Sequence, residues 1–287
     1  MKDALVFSHA NGFPAPVYRV LFNALGERFD VSAVDRFGHD QRYPVGRGWQ
    51  GLVAQLRDHI ESAVAPGRRT WLVGHSMGGY LSVQAAATLG SRIAGVVLLD
   101  SPLIGGLGAR VVKLGRLTGL DQHLMPLEQT RQRRTRWPDV DSVRAHFADK
   151  PGFRRWDPRV LHDYAKHGTE ARDGERALRF DREVEYRIYR TLPTRSIAEL
   201  ARGLPLPMGF VAGRYSREVR HIGLRHTRRV VGDRLDWIDG SHLFPMERPV
   251  ETVLAIESLV DRMRCGNCHD NDVSPVEFER RYAQSGR

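Results

Sequence analysis

Only four of the 44 basic residues are lysines, Lys2, Lys113, Lys150 and Lys166. The rest are arginines, a skew that a GC-rich coding sequence produces without selection for binding, so the net charge of +10 does not by itself indicate nucleic acid. The basic runs also lack an accompanying zinc site or aromatic base-stacking motif. No apolar run is long enough to cross a bilayer, and the longest, Ile93 to Leu99, is broken by Asp100. Ala4 to Phe7, with Lys2 and Asp3 before them, are too short and too charged for a signal-peptide core, which makes the cytoplasm the expected location. The expected partner is a small-molecule substrate, not nucleic acid and not a membrane.

The chain has just 2 cysteines, both within Cys265-Gly266-Asn267-Cys268-His269. This is the C-x-x-C-H spacing of covalent haem attachment. Haem attachment requires export, which the N-terminal residues do not suggest. Cys265, Cys268 and His269 offer three ligands at most, one short of a closed zinc shell. No cofactor and no metal are therefore expected, and residues 265–287 read as a polar, partly ordered tail.

What is present is enough for a full core. With 287 residues and 41% hydrophobic content, apolar strands alternate with amphipathic helices, which predicts one α/β domain carrying an insert. Strand candidates are Leu5–Ser8, Val31–Asp35, Thr70–Val73, Ile93–Leu99, Leu206–Ala212 and Arg234–Asp239. Helical spacing predicts helices over residues 15–28 and 48–65 and a helical repeat from Val250 to Val260. Such an order belongs to a mostly parallel sheet flanked by helices, with loops converging at the carboxyl ends of the strands. Residues 1–100 and 201–264 form the expected core. Residues 101–200 read as short helices joined by Pro and Gly turns, including an Asp157-Pro158 helix start that runs to Gly168. The run Arg131 to Arg136 reads as a solvated face.

Gly74-His75-Ser76-Met77-Gly78 follows the apolar Trp71-Leu72-Val73 and precedes a helical stretch. A strained strand-to-helix turn presents a serine nucleophile in that setting, and glycines on either side leave room for it. The helix N-terminus and the backbone N–H of Met77 would stabilise negative charge on a substrate oxygen. Ser8 to Pro14 form a turn rich in small residues where Asn11 would supply a second N–H. Gly240-Ser241-His242 places a histidine on the loop after the last strand, where a general base belongs.

These segments, in this order, resemble the α/β-hydrolase family. The resemblance rests on His9 to Pro14, Asp35-Arg36-Phe37-Gly38-His39, Gly74 to Gly79, and Gly240-Ser241-His242 with Pro245 and Glu247-Arg248-Pro249. It implies an α/β-hydrolase fold, a helical cap over the site, and a triad of Ser76, His242 and an acid. In the family the acid commonly lies in a turn after the strand two beyond the elbow, where this chain has Ser216. A serine cannot supply the carboxylate. Asp100, after the strand directly following the elbow helix, is the alternative position used by some members and is the preferred acid. Glu218 is the alternative acid. His9, His39 and His75 are expected to be structural.

The reaction so implied is acyl transfer through Ser76 on a carboxylic ester, lactone or thioester. A serine elbow argues against epoxide and haloalkane chemistry, whose family members attack through a carboxylate. Alternatives are cleavage of a carbon–carbon bond beside a ketone, a catalytically silent binding protein suggested by Ser216, and electron transfer through the cysteine tail. The sequence leaves the oligomeric state open.

Overall fold

The computed structural model describes residues 1–105, 131–193 and 197–265. Within them the strands are β1 (Asp3–Ser8), β2 (Phe29–Ala33), β3 (Thr70–His75), β4 (Ile93–Leu99), β5 (Arg136–Trp137), β6 (Thr169–Arg172), β7 (Glu175–Leu178), β8 (Met208–Gly213) and β9 (Leu235–Ile238). The helices are α1 (Arg19–Leu25), α2 (Gln50–Ala63), α3 (Met77–Leu89), α4 (Val140–Ala148), α5 (Pro158–His167), α6 (Arg182–Arg190), α7 (Ile197–Arg202), α8 (Arg217–Ile222), α9 (Arg225–Val231), α10 (Phe244–Glu247) and α11 (Pro249–Arg264).

Six strands form one sheet in the order β2-β1-β3-β4-β8-β9, and every neighbouring pair is parallel. Side chains alternate between its faces along each strand. Val6, Leu72, Val96, Leu98 and Phe210 point to one face and pack with Leu52, Leu56 and Ile60 of α2 and Leu81 and Ala85 of α3. Leu5, Phe7, Val73, Val97, Leu99 and Val211 point to the other, against Leu21 and Leu25 of α1 and Val253, Ile256 and Val260 of α11. Burial on both faces explains why β3, β4 and β8 read as continuous apolar runs and not as alternation. The loops after β1, β3, β4, β8 and β9 consequently open on one edge.

Differences from the sequence reading have local causes. Residues 15–28 are not one helix: Pro16 allows a 3-10 turn over Ala15–Tyr18 before α1 begins. The strand expected from Leu206 starts at Met208, because Pro207 has no N–H to give a ladder and contributes only its carbonyl, to Val96.

The insert is not built of helices alone. β5, β7 and β6 form an antiparallel sheet in that order, and Asp173 and Gly174 turn the β6–β7 hairpin with φ of 54° and 79°. Asp-Gly between two short strands is a strong hairpin signal, masked here by charged neighbours that conceal any alternation. The Asp157 cap is observed, accepting from Arg159 N–H at 2.8 Å, with Pro158 in the first turn and Gly168 at the end of α5. α7 carries Ile197, Ala198 and Ala201 into the core beside α3, so it packs with the sheet although it lies in the span expected for the insert.

The arginine run is a solvated face only in part. Arg133 turns inward and makes two bonds to the buried Glu185 of α6, while Arg131 pairs with Glu183 and lies over Tyr186. The inward turn follows from a partner far along the chain, the buried Glu185, which a charge pattern alone does not reveal. Of the cysteine motif, Cys265 is exposed at the end of α11, whereas Cys268 and His269 lie outside the described residues. Among the described residues no helix is long and apolar enough to cross a membrane.

Leu98 is fully buried at the centre of the sheet. Leu98→Ala should cost about 2–5 kcal/mol through lost burial and a residual cavity, read as a lower urea midpoint. An unchanged midpoint would refute the packing described.

Candidate active site

Ser76 sits between the end of β3 and the start of α3 with φ 54° and ψ −116°. This backbone region is strained for a residue with a side chain and is held by its surroundings. Ser76 N–H donates to Leu99 O at 2.9 Å, and Ser101 Oγ donates to Ser76 O at 2.8 Å, so the end of β4 and the residues just after it grip the turn from one side. The glycines supply the other condition. A Cβ on Gly74 would overlap the backbone of Gly78, and one on Gly78 would overlap the carbonyl of Ser8. The elbow and the loop after β1 thus meet backbone to backbone.

The structure brings Ser76, His242 and Asp100 together. His242 Nε2 lies 3.0 Å from Ser76 Oγ, and His242 Nδ1 lies 2.6 Å from Asp100 Oδ2. Asp100 is fully buried, stands at a positive φ of 46°, and has a second oxygen that accepts from Gly213 N–H at 2.8 Å. Ser216 Oγ donates to Asp100 Oδ2 at 2.5 Å and accepts from Val219 N–H at 3.1 Å, capping α8. Sequence reading saw in Ser216 only a missing acid; the hydroxyl instead supports the carboxylate on the neighbouring strand. The S-x-x-V start of α8 could have identified the cap, but not its other partner.

Glu218, the alternative acid, lies 3.6 Å from His242 Nδ1 with 43% of its side chain exposed. Asp100 is nearer and holds the shorter bond. Asp100, Glu218 and His242 also place ligand atoms within 4.8 Å of one another, but the imidazole and Asp100 are already committed to each other.

The loop after β1 is immobilised from several directions. Asn11 is buried and its side-chain amide donates to Glu185 O of α6 at 3.0 Å. Gly12, at φ 84°, lies against the Glu185 carboxylate, which leaves no space for a Cβ. Phe13 packs on Trp156 and Tyr164 of the insert. His9 accepts from Phe37 N–H through Nε2 at 3.0 Å and donates through Nδ1 to Ala10 O, tying this loop to the one after β2. His39 likewise bonds Phe37 O and Asp181 N–H. The loop after β9, which carries His242, is fixed by Glu247, which accepts from Ser241 N–H at 2.9 Å and from Ser241 Oγ at 2.5 Å.

Burial sets the charge states. It pulls the His9 pKa down to about 4 and His75 to about 3, the latter also opposed by His242. Burial lowers the His242 pKa too, but the bond to Asp100 and the charges of Asp100 and Glu218 outweigh it, and the net shift is upward. A proton on His242 is therefore bound more tightly in the folded chain. Its contribution to stability is complete below the ordinary histidine value, about 6.5, and is lost as pH rises through the raised folded value.

The family model described as "Alpha/beta hydrolase family" matches residues 5–256. Solved structures share the fold at low identity. E-2-(acetamidomethylene)succinate hydrolase is similar with TM-score 0.71 and 23% identity, covering 91% of this chain and 92% of that one. A peroxisomal alpha-beta-hydrolase from Saccharomyces cerevisiae is similar with TM-score 0.72 and 14% identity, over 99% and 86%. The enol-lactonase from Burkholderia xenovorans is similar with TM-score 0.61 and 19% identity, over 91% and 92%. Among curated proteins, none matches the sequence.

Removing the Asp100 charge should let burial prevail. In Asp100→Asn, the His242 pKa measured by NMR is expected to fall from above the ordinary histidine value to below it. A pKa that stays raised would assign the interaction to Glu218. Gly78→Ala should cost about 1–3 kcal/mol or more by forcing the elbow from Ser8, read in the urea midpoint.

Proposed function

The chain belongs to the alpha/beta hydrolase family, and on that premise we propose that it is a serine hydrolase working through an acyl-enzyme on a small carboxylic ester, lactone or thioester. The observation that carries the reading is the unbroken chain from Ser76 Oγ through both nitrogens of His242 to Asp100, at 3.0 and 2.6 Å. Nucleophile and base are within proton-transfer distance, and the base is oriented by a buried carboxylate.

In this reading His242 Nε2 takes the Ser76 proton as Oγ attacks the carbonyl carbon. Asp100 holds the proton on Nδ1, which leaves the lone pair on Nε2 facing the serine, and stabilises the imidazolium that forms. The N–H groups of Met77, at the start of α3, and Asn11, on the adjoining loop, receive the oxyanion. Their fixed setting is where electrostatic catalysis has its largest effect, because nothing need reorganise as charge develops. His242 returns its proton to the leaving group; water, activated by the same imidazole, then releases the acid. A serine at the elbow does not suit epoxide or haloalkane opening through a carboxylate. The presence of a lactonase and of a thioesterase domain among proteins of the same fold supports acyl transfer as the reaction class.

The silent-binding alternative drew its motive from Ser216. With Asp100 bonded to His242, that motive is gone. No step of the proposed chemistry calls on Cys265.

Ser76→Ala should abolish 4-nitrophenyl ester turnover and fluorophosphonate labelling, with a loss on the order of 10⁴-fold or more. Asp100→Asn should lose about 10³–10⁴-fold, and Glu218→Gln less than about 10-fold. The reverse ranking would make Glu218 the acid. For the wild type, kcat/KM should rise with pH through a midpoint above the ordinary histidine value of about 6.5, because neutral His242 is the active form. Glu218→Gln should lower that midpoint, since it removes one of the charges that raise it.

A further inference from the structure

Tyr18 lies in the turn after the Asn11 loop, outside every segment that carries the sequence motifs. Its ring is buried, and its hydroxyl accepts from Ala10 N–H at 3.1 Å and meets His75 Nδ1 at 2.8 Å. The other nitrogen of His75, Nε2, meets the backbone carbonyl of His242 at 2.9 Å. Chemistry fixes every direction in this chain. A carbonyl only accepts, so Nε2 carries the proton. A neutral ring then has its lone pair on Nδ1, so the tyrosine donates to it, and the phenol oxygen is left to accept from the amide. Burial holds His75 neutral, with a pKa near 3, and raises that of Tyr18, so neither group changes state where His242 titrates.

We propose that Tyr18 and His75 form a fixed strut that sets the spacing between the oxyanion loop and the backbone of the general base, making both of them positioning residues. The inference rests on the serine-hydrolase reading for its catalytic consequence. The strut runs from residue 10, next to Asn11, through residue 75, next to Ser76, to residue 242 itself. Nucleophile, base and oxyanion donor reside on loops after β3, β9 and β1, and β4 and β8 separate β9 from β3 in the sheet. The sheet spaces the strand ends, but the loops extend past it. Catalytic constellations tolerate errors of only about 0.5 Å, and a 1 Å displacement costs about 10²-fold. The Ser241–Glu247 bonds steady the base loop, yet they do not reach the oxyanion loop. The histidine of the elbow motif, whose position the motif leaves variable, is where all three segments are joined.

The test uses Tyr18→Phe, His75→Leu and His75→Gln with a 4-nitrophenyl ester, together with ¹⁵N NMR of the histidine rings. Tyr18→Phe and His75→Leu should each lower kcat about 10–100-fold, with KM changing less than about threefold. The double variant should be no worse than the poorer single one, because both break the same strut. Glutamine offers one donor and one acceptor without charge, so His75→Gln should recover kcat to within about fivefold of wild type. The pH midpoint of Tyr18→Phe should match wild type, since the Asp100 bond is untouched. Losses confined to KM, multiplicative losses in the double variant, or a glutamine variant as poor as the leucine one would overturn the proposal.

Ring NMR decides the strut independently of turnover. His75 should remain the neutral Nε2–H tautomer from about pH 5 to 9, and a His75 that titrates there, or carries its proton on Nδ1, refutes it. Failure of fluorophosphonate to label wild-type Ser76 would instead remove the serine-hydrolase reading, leaving the NMR result to stand or fall alone.

Discussion

A buried carboxylate is costly unless donors meet it, and Asp100 is met by three: Gly213 N–H, Ser216 Oγ and His242 Nδ1. Those donors come from the end of β8, the start of α8 and the loop after β9. Satisfying one charge therefore draws together the segments that follow three consecutive strands of the sheet. The same constraint orients the imidazole toward Ser76 and determines which of its nitrogens holds the proton. A carboxylate in the more exposed position of Glu218 would be solvated by water and would impose far less order on its neighbours.

Strain at the elbow is the second constraint. Ser76 keeps its unfavourable backbone angles because Leu99 at the end of β4 bonds its N–H and Ser101 just beyond bonds its carbonyl, and because Gly78 lets the loop after β1 approach to contact. The insert completes this arrangement from above: the Glu185 carbonyl holds Asn11, the Glu185 carboxylate presses on Gly12, and Trp156 and Tyr164 cover Phe13. Glu185 is itself buried and is balanced by Arg133. The insert is thus part of what keeps the loop after β1 in place.

Much of this was readable in the chain order. The strands of the central sheet, their burial on both faces, the elbow and the histidine loop each leave a local mark: an apolar run, a glycine beside a serine, a small-residue turn before a proline. Boundaries moved by a residue or two where prolines remove a ladder donor or start a 3-10 turn, as at Pro207 and Pro16. The β6–β7 hairpin escaped because charged residues line a small sheet whose pattern is too short to show a period, and the inward turn of Arg133 because its partner Glu185 lies 52 positions away.

Short-range chemistry within a few residues was enough to read the fold class, the strand-to-helix turn at Ser76 and the loop that bears His242. Only the tertiary structure could decide which carboxylate reaches the imidazole, why a serine occupies position 216, and how Tyr18 and His75 connect two distant loops. Apart from the Ala10–Tyr18 bond, those relations depend on hydrogen bonds between residues separated by 57 to 167 positions. Directional bonds over that range leave no periodicity in the chain and exist only once the parallel sheet has brought its strand ends together.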